Sequence, residues 1–411
     1  MSAPRVRLAT AGLTIDLVFH GATGRFPDLV RLLWAPALTE AGGEPTFVVN
    51  AVIPSGDGDA AHSIDRPVQL NRVGGDATYR LSGEVTMRIL EHLVGSRILL
   101  HAGAVILEDL GTVITTGASG AGKSTAVTTL ARGGTYLTDE LTILDPIDFS
   151  ITAYPKPISR VYSEPGEPAR HKRDYALEDL GITSVCAGTA PAPSHVVLVN
   201  RQVDAAEAVV EPLSLLEAVA ILAGQSSSQW KLPSPLGSLA RLITSLDGVW
   251  RATYTEASEL PGALRAAVKA RADGEGAAQA SAADATYEVL APGDAAPGAV
   301  AEEPPTVEGA DTAAAGPAPS AIPAERVWRL APFYEALWSE GEFAVLTACT
   351  EPQVVRLTGV STTVWDLLFS SGPLTTSAIV ESVVALMGEH PDADERVCAA
   401  LASCAEHGVL V

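Results

Sequence analysis

The chain has 411 residues, 47% of them hydrophobic, and a formal net charge of −22. It can therefore fill more than one core and is a poor match for nucleic acid, whose phosphates require clustered Lys and Arg. The acid excess is uneven, since residues 272–325 hold ten acidic and no basic side chains and residues 326–411 hold eleven against four.

No apolar run reaches 18 residues, and no leader with a basic start, apolar middle and cleavage site is visible. Neither export nor membrane spanning is expected, which predicts a cytoplasmic protein. Cys186, Cys349, Cys398 and Cys404 form no CxxC and sit in apolar contexts, as buried thiols do.

Residues 1–95 read as a mostly β lead-in, with apolar runs at Leu13 to Phe19 and Thr46 to Ile53 between Gly, Asp and Pro. A helix closes it, because Val85, Ile89, Leu90 and Leu93 recur at helical spacing after Ser82-Gly83-Glu84. His20, His62 and His92 lack partners at ligand spacing and read as surface or packing residues. No chemistry is visible in this part.

From Ile98 to Leu107 an apolar strand is interrupted by one histidine, His101. A second strand, Val113 to Thr116, enters Gly117-Ala118-Ser119-Gly120-Ala121-Gly122-Lys123-Ser124-Thr125, and a helical stretch follows from Ser124 to Ala131. The nonapeptide fits GxxxxGK[ST] in the strand-to-helix context that motif needs. Its glycines let backbone N–H groups curl round a phosphate, Lys123 reaches the outer phosphates, and the Ser124 hydroxyl suits Mg²⁺. ATP and Mg²⁺ are the expected cofactors, with Gly117, Ser119, Gly120, Ala121, Gly122, Lys123, Ser124 and Thr125 holding the nucleotide.

Thr135 to Leu144 reads as a further strand with two adjacent acids, Asp139 and Glu140, in its middle. Burying one carboxylate costs several kcal/mol unless a cation or hydrogen bonds compensate, so Mg²⁺ and a substrate hydroxyl are natural partners. A strand end with both acids in solvent is the alternative.

Asp139 lies 16 residues after Lys123, and His101 lies 22 before it. This compact order of histidine, loop and acid pair resembles the HPr kinase family, from about Leu99 to Tyr254. The LLHAGAV strand, the GASGAGKST loop, the LTDE strand and Ala153-Tyr154-Pro155-Lys156-Pro157-Ile158-Ser159 carry the resemblance; the last looks like the proline-lysine-proline stretch of HPr-kinase-like proteins from peptide biosynthesis clusters. It implies that Lys123 and the glycine amides hold ATP, and that Ser124 with Glu140 or Asp139 holds Mg²⁺. Asp139 would accept the proton of the attacking hydroxyl, with His101 orienting or charge-balancing it.

The glutamate- and glycine-rich signature that true HPr kinase/phosphorylases carry downstream is not visible, and Ser194 to Arg201 is only an apolar strand. HPr itself and reverse phosphorolysis are therefore not expected. Arg160 to Arg173, with Arg170, Lys172 and Gly/Pro breaks, reads as a basic loop that neutralises phosphate charge, guides an acidic peptide, or is merely solvated. Leu213 to Ala223 and Leu239 to Leu246 have helical periodicity and are expected to cover the sheet, while Trp230 and Trp250 read as packing residues.

Residues 272–325 are dominated by Ala, Gly, Pro, Glu and Asp and read as a disordered linker. A flexible coil of that length reaches about 40 Å and keeps the C-terminal segment near the nucleotide site at roughly millimolar effective concentration.

Residues 326–411 open with strand-like runs at Pro332 to Trp338, Glu342 to Ala348 and Gln353 to Gly359. Helical stretches follow at Ser361 to Phe369, Thr376 to Met387 and Asp394 to His407. Three strands then three helices is a winged-helix pattern, and the acidic balance argues against a DNA-binding one. The order, with Leu357 to Leu368 and Glu406 to Val411, is similar to PqqD-like domains, the recognition elements for ribosomally made, modified peptides (RiPPs). The resemblance implies that the leader of a precursor peptide adds as a strand beside Gln353, Val354, Val355, Arg356 and Leu357, with one face on the helix carrying Val397, Leu401 and Cys404.

The expected fold is thus an α/β (α+β) HPr-kinase-like P-loop domain at 96–271 after a β-rich part at 1–95, then the linker at 272–325 and a small winged-helix domain at 326–411. The expected function is an ATP-dependent phosphotransferase acting on a Ser or Thr hydroxyl of a leader-bound RiPP precursor peptide. Two alternatives stay open. One is a non-catalytic recognition scaffold that presents the leader to other modifying enzymes of the pathway, its kinase-like part only binding nucleotide or vestigial. The other is a kinase for a free small molecule. No nucleic-acid or membrane partner is expected, and the family's habit of oligomerising makes a homo-oligomer an expectation.

Overall fold

The structure is a computed structural model that describes residues 3–53, 65–70, 75–162, 171–205, 207–274, 282–302 and 322–411. His62, the basic-loop segment 163–170 with Arg170, and the linker stretches 275–281 and 303–321 lie outside the described residues. The chain is mixed α/β and divides into two units. The first comprises Met1–Pro212, Gln225–Ser228 and Leu246–Gln279, and the second Leu213–Gly224, Gln229–Ser245 and Ala280–Val411.

In the first unit the apolar alternation near the N-terminus folds into an antiparallel pair, β1 (Arg5–Thr10) and β2 (Leu13–Gly21). After α1 (Phe26–Leu33), β3 (Phe47–Ile53) joins β2 and β4 (Val68–Gln69) joins β3, both in parallel. Helix α2 (Gly75–Leu93) starts well before the Val85 stripe and runs through Gly83. One interior glycine costs only about 1 kcal/mol of helix propensity, against the burial of Leu81, Val85 and Ile89. The core under this sheet also takes in Leu99, Leu141, Ile143 and Tyr154. The boundary expected at residue 95 therefore cuts through one hydrophobic core.

Both long strands expected around the loop are broken. The first is β5 (Ile98–Leu100) and β6 (Gly103–Leu107), and β7 (Gly111–Thr116) then leads through the loop to α3 (Lys123–Ala131). The second is β8 (Thr135–Thr138) and β9 (Thr142–Leu144). β6 pairs with β8 and β5 with β9, both antiparallel, so one ribbon passes from one sheet to another and both its strands break at the same level. Beyond it lie β10 (Ile151–Thr152), the hairpin β11 (Ile158–Tyr162) and β12 (His171–Tyr175), and β13 (Thr189–Ala190). β14 (His195–Arg201) and β15 (Val209–Pro212) follow.

After α4 (Leu215–Gly224) and α5 (Pro235–Thr244), β16 (Gly248–Tyr254) and α6 (Leu260–Ala272) complete the first unit. Its main sheet runs β15-β16-β14-β7-β6-β8, with β14 parallel to both β7 and β16. The loop therefore leaves the C-terminal end of β7, and α3 lies against β6, β7 and β8.

Helices α4 and α5 belong to the second unit, contrary to the expectation that they cover the nucleotide-site sheet. There β17 (Glu288–Leu290) pairs with β19 (Phe333–Ser339), so part of the expected linker is a strand of this unit. β18 (Val327–Trp328) pairs with β22 (Leu374–Thr375), and β20 (Glu342–Thr347) and β21 (Val354–Leu357) complete the sheet order β17-β19-β20-β21. Helices α7 (Val360–Ser371), α8 (Thr376–Met387) and α9 (Ala393–Glu406) follow at the expected positions.

One face of this sheet, with Ala336, Phe343 and Val345, shares a core with Val364, Trp365 and Leu401. The other face buries Leu337, Ala344 and Leu346, with α4 against β20 and β21 and α5 against β19. Buried Glu335 accepts hydrogen bonds from Ser234 Oγ (2.7 Å) and from the Leu236 and Gly237 amides (2.6 and 2.9 Å), capping the start of α5.

Candidate active site

The break in the ribbon is where the chemistry gathers. Gly103 has no room for a side chain, because a Cβ there would collide with Val127 of α3. The Thr142 hydroxyl donates to Ala102 O at 3.0 Å, and the Thr138 hydroxyl accepts from the Glu140 and Leu141 amides at 3.4 and 3.3 Å. Side chains thus take over backbone bonds that the ladder gives up at the break, and His101, Asp139 and Glu140 leave the strands. All three line one cleft of roughly 560 Å³ with Ser119, Gly120, Gly122, Lys123, Ser124 and Thr125.

Gly117 and Ala121 do not line it. Gly117 has φ +157° and a Cβ there would sit 2.7 Å from Val199 O, while Ala121 packs on the sheet's core. They shape the loop from behind. Lys123 Nζ donates to Gly117 O (2.7 Å) and Ala118 O (3.2 Å), folded onto the loop it would leave for a phosphate. Burial pushes this lysine below its ordinary value, against the opposing pull of Glu140.

The acid pair is buried at Asp139, 4% exposed, and answered by a cation that sequence reasoning assigned no role. Lys156 Nζ lies 3.0 Å from Glu140 Oε2 and 3.5 Å from Asp139 Oδ1, and donates to Pro157 O at 3.0 Å. Lys156 is 1% exposed; burial pushes it down, but Asp139, Glu140 and Asp174 outweigh that and hold it above the ordinary lysine value. Burial raises Glu140, yet the charge and hydrogen bond of Lys156 outweigh it and bring Glu140 below the usual carboxylate range. Asp139 is raised, by burial first and then by Glu140, with Lys156 opposing. The Tyr136 hydroxyl donates to Asp139 Oδ1 at 3.1 Å, and Ser124 bonds the same carboxylate. The signal was visible in the chain as a lone lysine between two prolines in an apolar run.

The His101 ring opens on the cleft, and the surrounding wall and Lys123 hold it below the ordinary histidine value. It is thus a neutral imidazole at neutral pH. Arg160 and Lys172, on β11 and β12, line the same cleft. Lys172 sits 4.8 Å from the Tyr79 ring centroid and 3.3 Å from its hydroxyl, so α2 of the supposedly inert lead-in furnishes a cleft wall. Among the described residues, four cationic side chains, Lys123, Lys156, Arg160 and Lys172, line the cleft with two carboxylates, a cationic balance in a protein of net charge −22.

Ser124 hydrogen-bonds Asp139, so a magnesium ion held by Ser124 and phosphate oxygens would lie beside the acid pair, both members of which contact Lys156. Among the described residues no three His, Cys, Asp or Glu cluster as a metal site, so phosphate oxygens would have to complete the coordination.

In the second unit, β21 ends its sheet, and no further strand pairs with it among the described residues. Gln353 precedes it, with its carbonyl taken by Thr347 N at 3.0 Å. Val354 and Val355 are half-buried, Leu357 is buried, and Arg356 pairs with Glu342 at 2.8 Å. Val397, Leu401 and Cys404 are at most 3% exposed in the helical core. They set the position of α9 and cannot themselves contact a peptide as it stands. No disulfide links the four cysteines, and no described helix is long and apolar enough to cross a membrane.

The chain matches no protein-family model and no curated protein sequence.

Proposed function

We propose that the first unit is an HPr-kinase-like P-loop phosphotransferase that moves the γ-phosphoryl of ATP to a Ser or Thr hydroxyl of a precursor peptide. The observation that carries this reading is the cleft that the phosphate loop, His101 and the buried Asp139 line together with lysine and arginine side chains. Polyphosphate charge is met by Lys123, Arg160 and Lys172. Asp139, whose proton affinity burial raises, receives the hydroxyl proton. Lys156 keeps the two adjacent acids from repelling each other, and His101 orients the acceptor. Magnesium, held by Ser124 and the phosphates beside the acid pair, would supply charge neutralisation on the transferred group.

The second unit we read as a PqqD-like winged helix that captures the leader by strand addition at β21, since that strand has an unpaired edge among the described residues. A scaffold reading shares this edge and gives the first unit only a nucleotide-binding role.

Incubation of the full chain with ATP, Mg²⁺ and the peptide encoded beside it, followed by mass spectrometry, separates the two. Transfer is expected, and Asp139→Asn is expected to lower it by about 10² to 10⁴-fold while nucleotide binding survives. Absence of a phosphoryl adduct with wild type, together with leader binding and activation of a partner enzyme, would select the scaffold.

A further inference from the structure

A second cavity, of roughly 460 Å³, adjoins the nucleotide cleft and shares Tyr79, His101 and Glu140 with it. One stripe of α2 forms a wall: Tyr79, Gly83, Met87 and Leu90 recur at helical spacing. Leu141 and Ser227 contribute from other segments of the same unit. Met87 is 53% exposed, an apolar side chain left uncovered beside a reactive-looking histidine. At Gly83 a Cβ would meet nothing within 4 Å, so the helix leaves open space there.

The two cavities differ in charge. Among the described residues, the nucleotide cleft has four lysine and arginine side chains, whereas none lines the second cavity. Its charged lining is Glu140 and Glu84, the latter paired with Arg88 at 3.0 Å. Among the described residues, a polyphosphate therefore finds its counter-charges on the nucleotide-cleft side of His101 and Glu140. The other side suits a ligand with apolar surface and no negative charge.

We infer that the second cavity is the acceptor subsite, taking the hydroxyl-bearing residue of an uncharged or basic peptide segment with an apolar neighbour. This rests on the phosphotransferase reading and adds to it the place and chemistry of the acceptor. An acidic acceptor, which the basic Arg160–Arg173 loop suggested, finds no lysine or arginine in this lining among the described residues, and the nearby Arg88 is already taken by Glu84. In the transfer the acceptor oxygen forms a bond to the γ-phosphorus as the bond from that phosphorus to the β,γ-bridging oxygen breaks. The nucleoside diphosphate departs with that electron pair, and the hydroxyl proton goes to the Asp139 carboxylate.

Full-length protein and its Gly83→Trp and Met87→Trp variants would be presented with degenerate nonapeptides centred on Ser or Thr, in one basic-flanked and one acidic-flanked set. Three quantities are read: affinity for a fluorescent ATP analogue, phosphate transfer from labelled ATP, and peptide retention with a non-hydrolysable analogue bound. Wild type is expected to favour the basic set. Each variant is expected to keep nucleotide affinity within about twofold while losing transfer and retention about tenfold or more, because the indole fills the acceptor's space.

Variants that bind nucleotide and still transfer and retain peptide like wild type would overturn the subsite, as would a wild type that retains neither set. Preference for the acidic set would overturn its assigned chemistry. Retention without transfer by wild type, abolished in the variants, would overturn the phosphotransferase reading and keep the cavity as a peptide site. Should one variant fail to fold, the other decides.

Discussion

Lys156 is the residue on which the site's electrostatics turn. Removing one partner from a buried ion pair strands the rest, and Lys156→Met is expected to cost about 3 kcal/mol or more in urea denaturation at pH 7. The directions of the shifts set the pH dependence. Glu140 lies below the usual range, so its contribution is full above its unfolded value of about 4.3 and is lost as pH falls through the folded one. Lys156 lies above its ordinary value, so its contribution is full below about 10.4 and is lost only as pH rises past the folded value. Asp139 runs the other way, since a raised folded value favours the protonated state and costs stability at neutral pH. Without Lys156 both acids gain from protonation, so the stability gap between wild type and Lys156→Met should shrink as pH is lowered from 7 towards 4. A gap that widens would mean the pair is not held by this lysine.

At the scale of elements, the two glycines Gly103 and Gly83 should behave oppositely when changed to alanine. Gly103→Ala drives a methyl into Val127 and to 3.1 Å from Thr138 O, and is expected to cost about 1–3 kcal/mol. It should also weaken nucleotide binding, because α3 carries Lys123 and Ser124. Gly83→Ala adds a methyl in open space on a helix and should gain up to about 1 kcal/mol. Thermal melting of both variants checks the pair. In the second unit, Glu335→Ala removes the acceptor for one hydroxyl and two amides at the start of α5. A cost of about 2–4 kcal/mol is expected, read as a lower denaturant midpoint for that unit.

For the whole molecule, the chain order and the folding units do not coincide. The helices at 215–244 complete the second unit, although the segments on either side of them belong to the first. A fragment cut at the expected boundary, residues 326–411, lacks α4, α5 and β17. It would leave Leu337, Ala344 and Leu346 uncovered, each at most 3% exposed in the full chain. With a buried side chain of this kind worth about 1.5–3 kcal/mol, the fragment is expected to bind a hydrophobic dye and to unfold without a cooperative transition. A sharp, dye-free melt would show that the two helices are dispensable.

The parts legible in the sequence were those set by local pattern. The loop Gly117 to Thr125 declares itself because phosphate binding needs particular residues at consecutive positions, and the helices near Val364, Ile379 and Val397 show their own apolar stripes. His101 and the Asp139-Glu140 pair stood out as polar residues in apolar runs, but the runs looked continuous, since β-propensity says nothing about a strand changing sheets. At that break Val127 of α3 occupies the place a Cβ of residue 103 would take, a contact no local pattern announces. Only the tertiary structure brought Lys156 to the acids, lent Tyr79 and Gly83 of the lead-in to the cleft and its neighbour, and gave α4 and α5 to the second unit. Each of those outcomes joins residues far apart in the chain, where the energy of burial and charge pairing, rather than any local periodicity, chooses the partner.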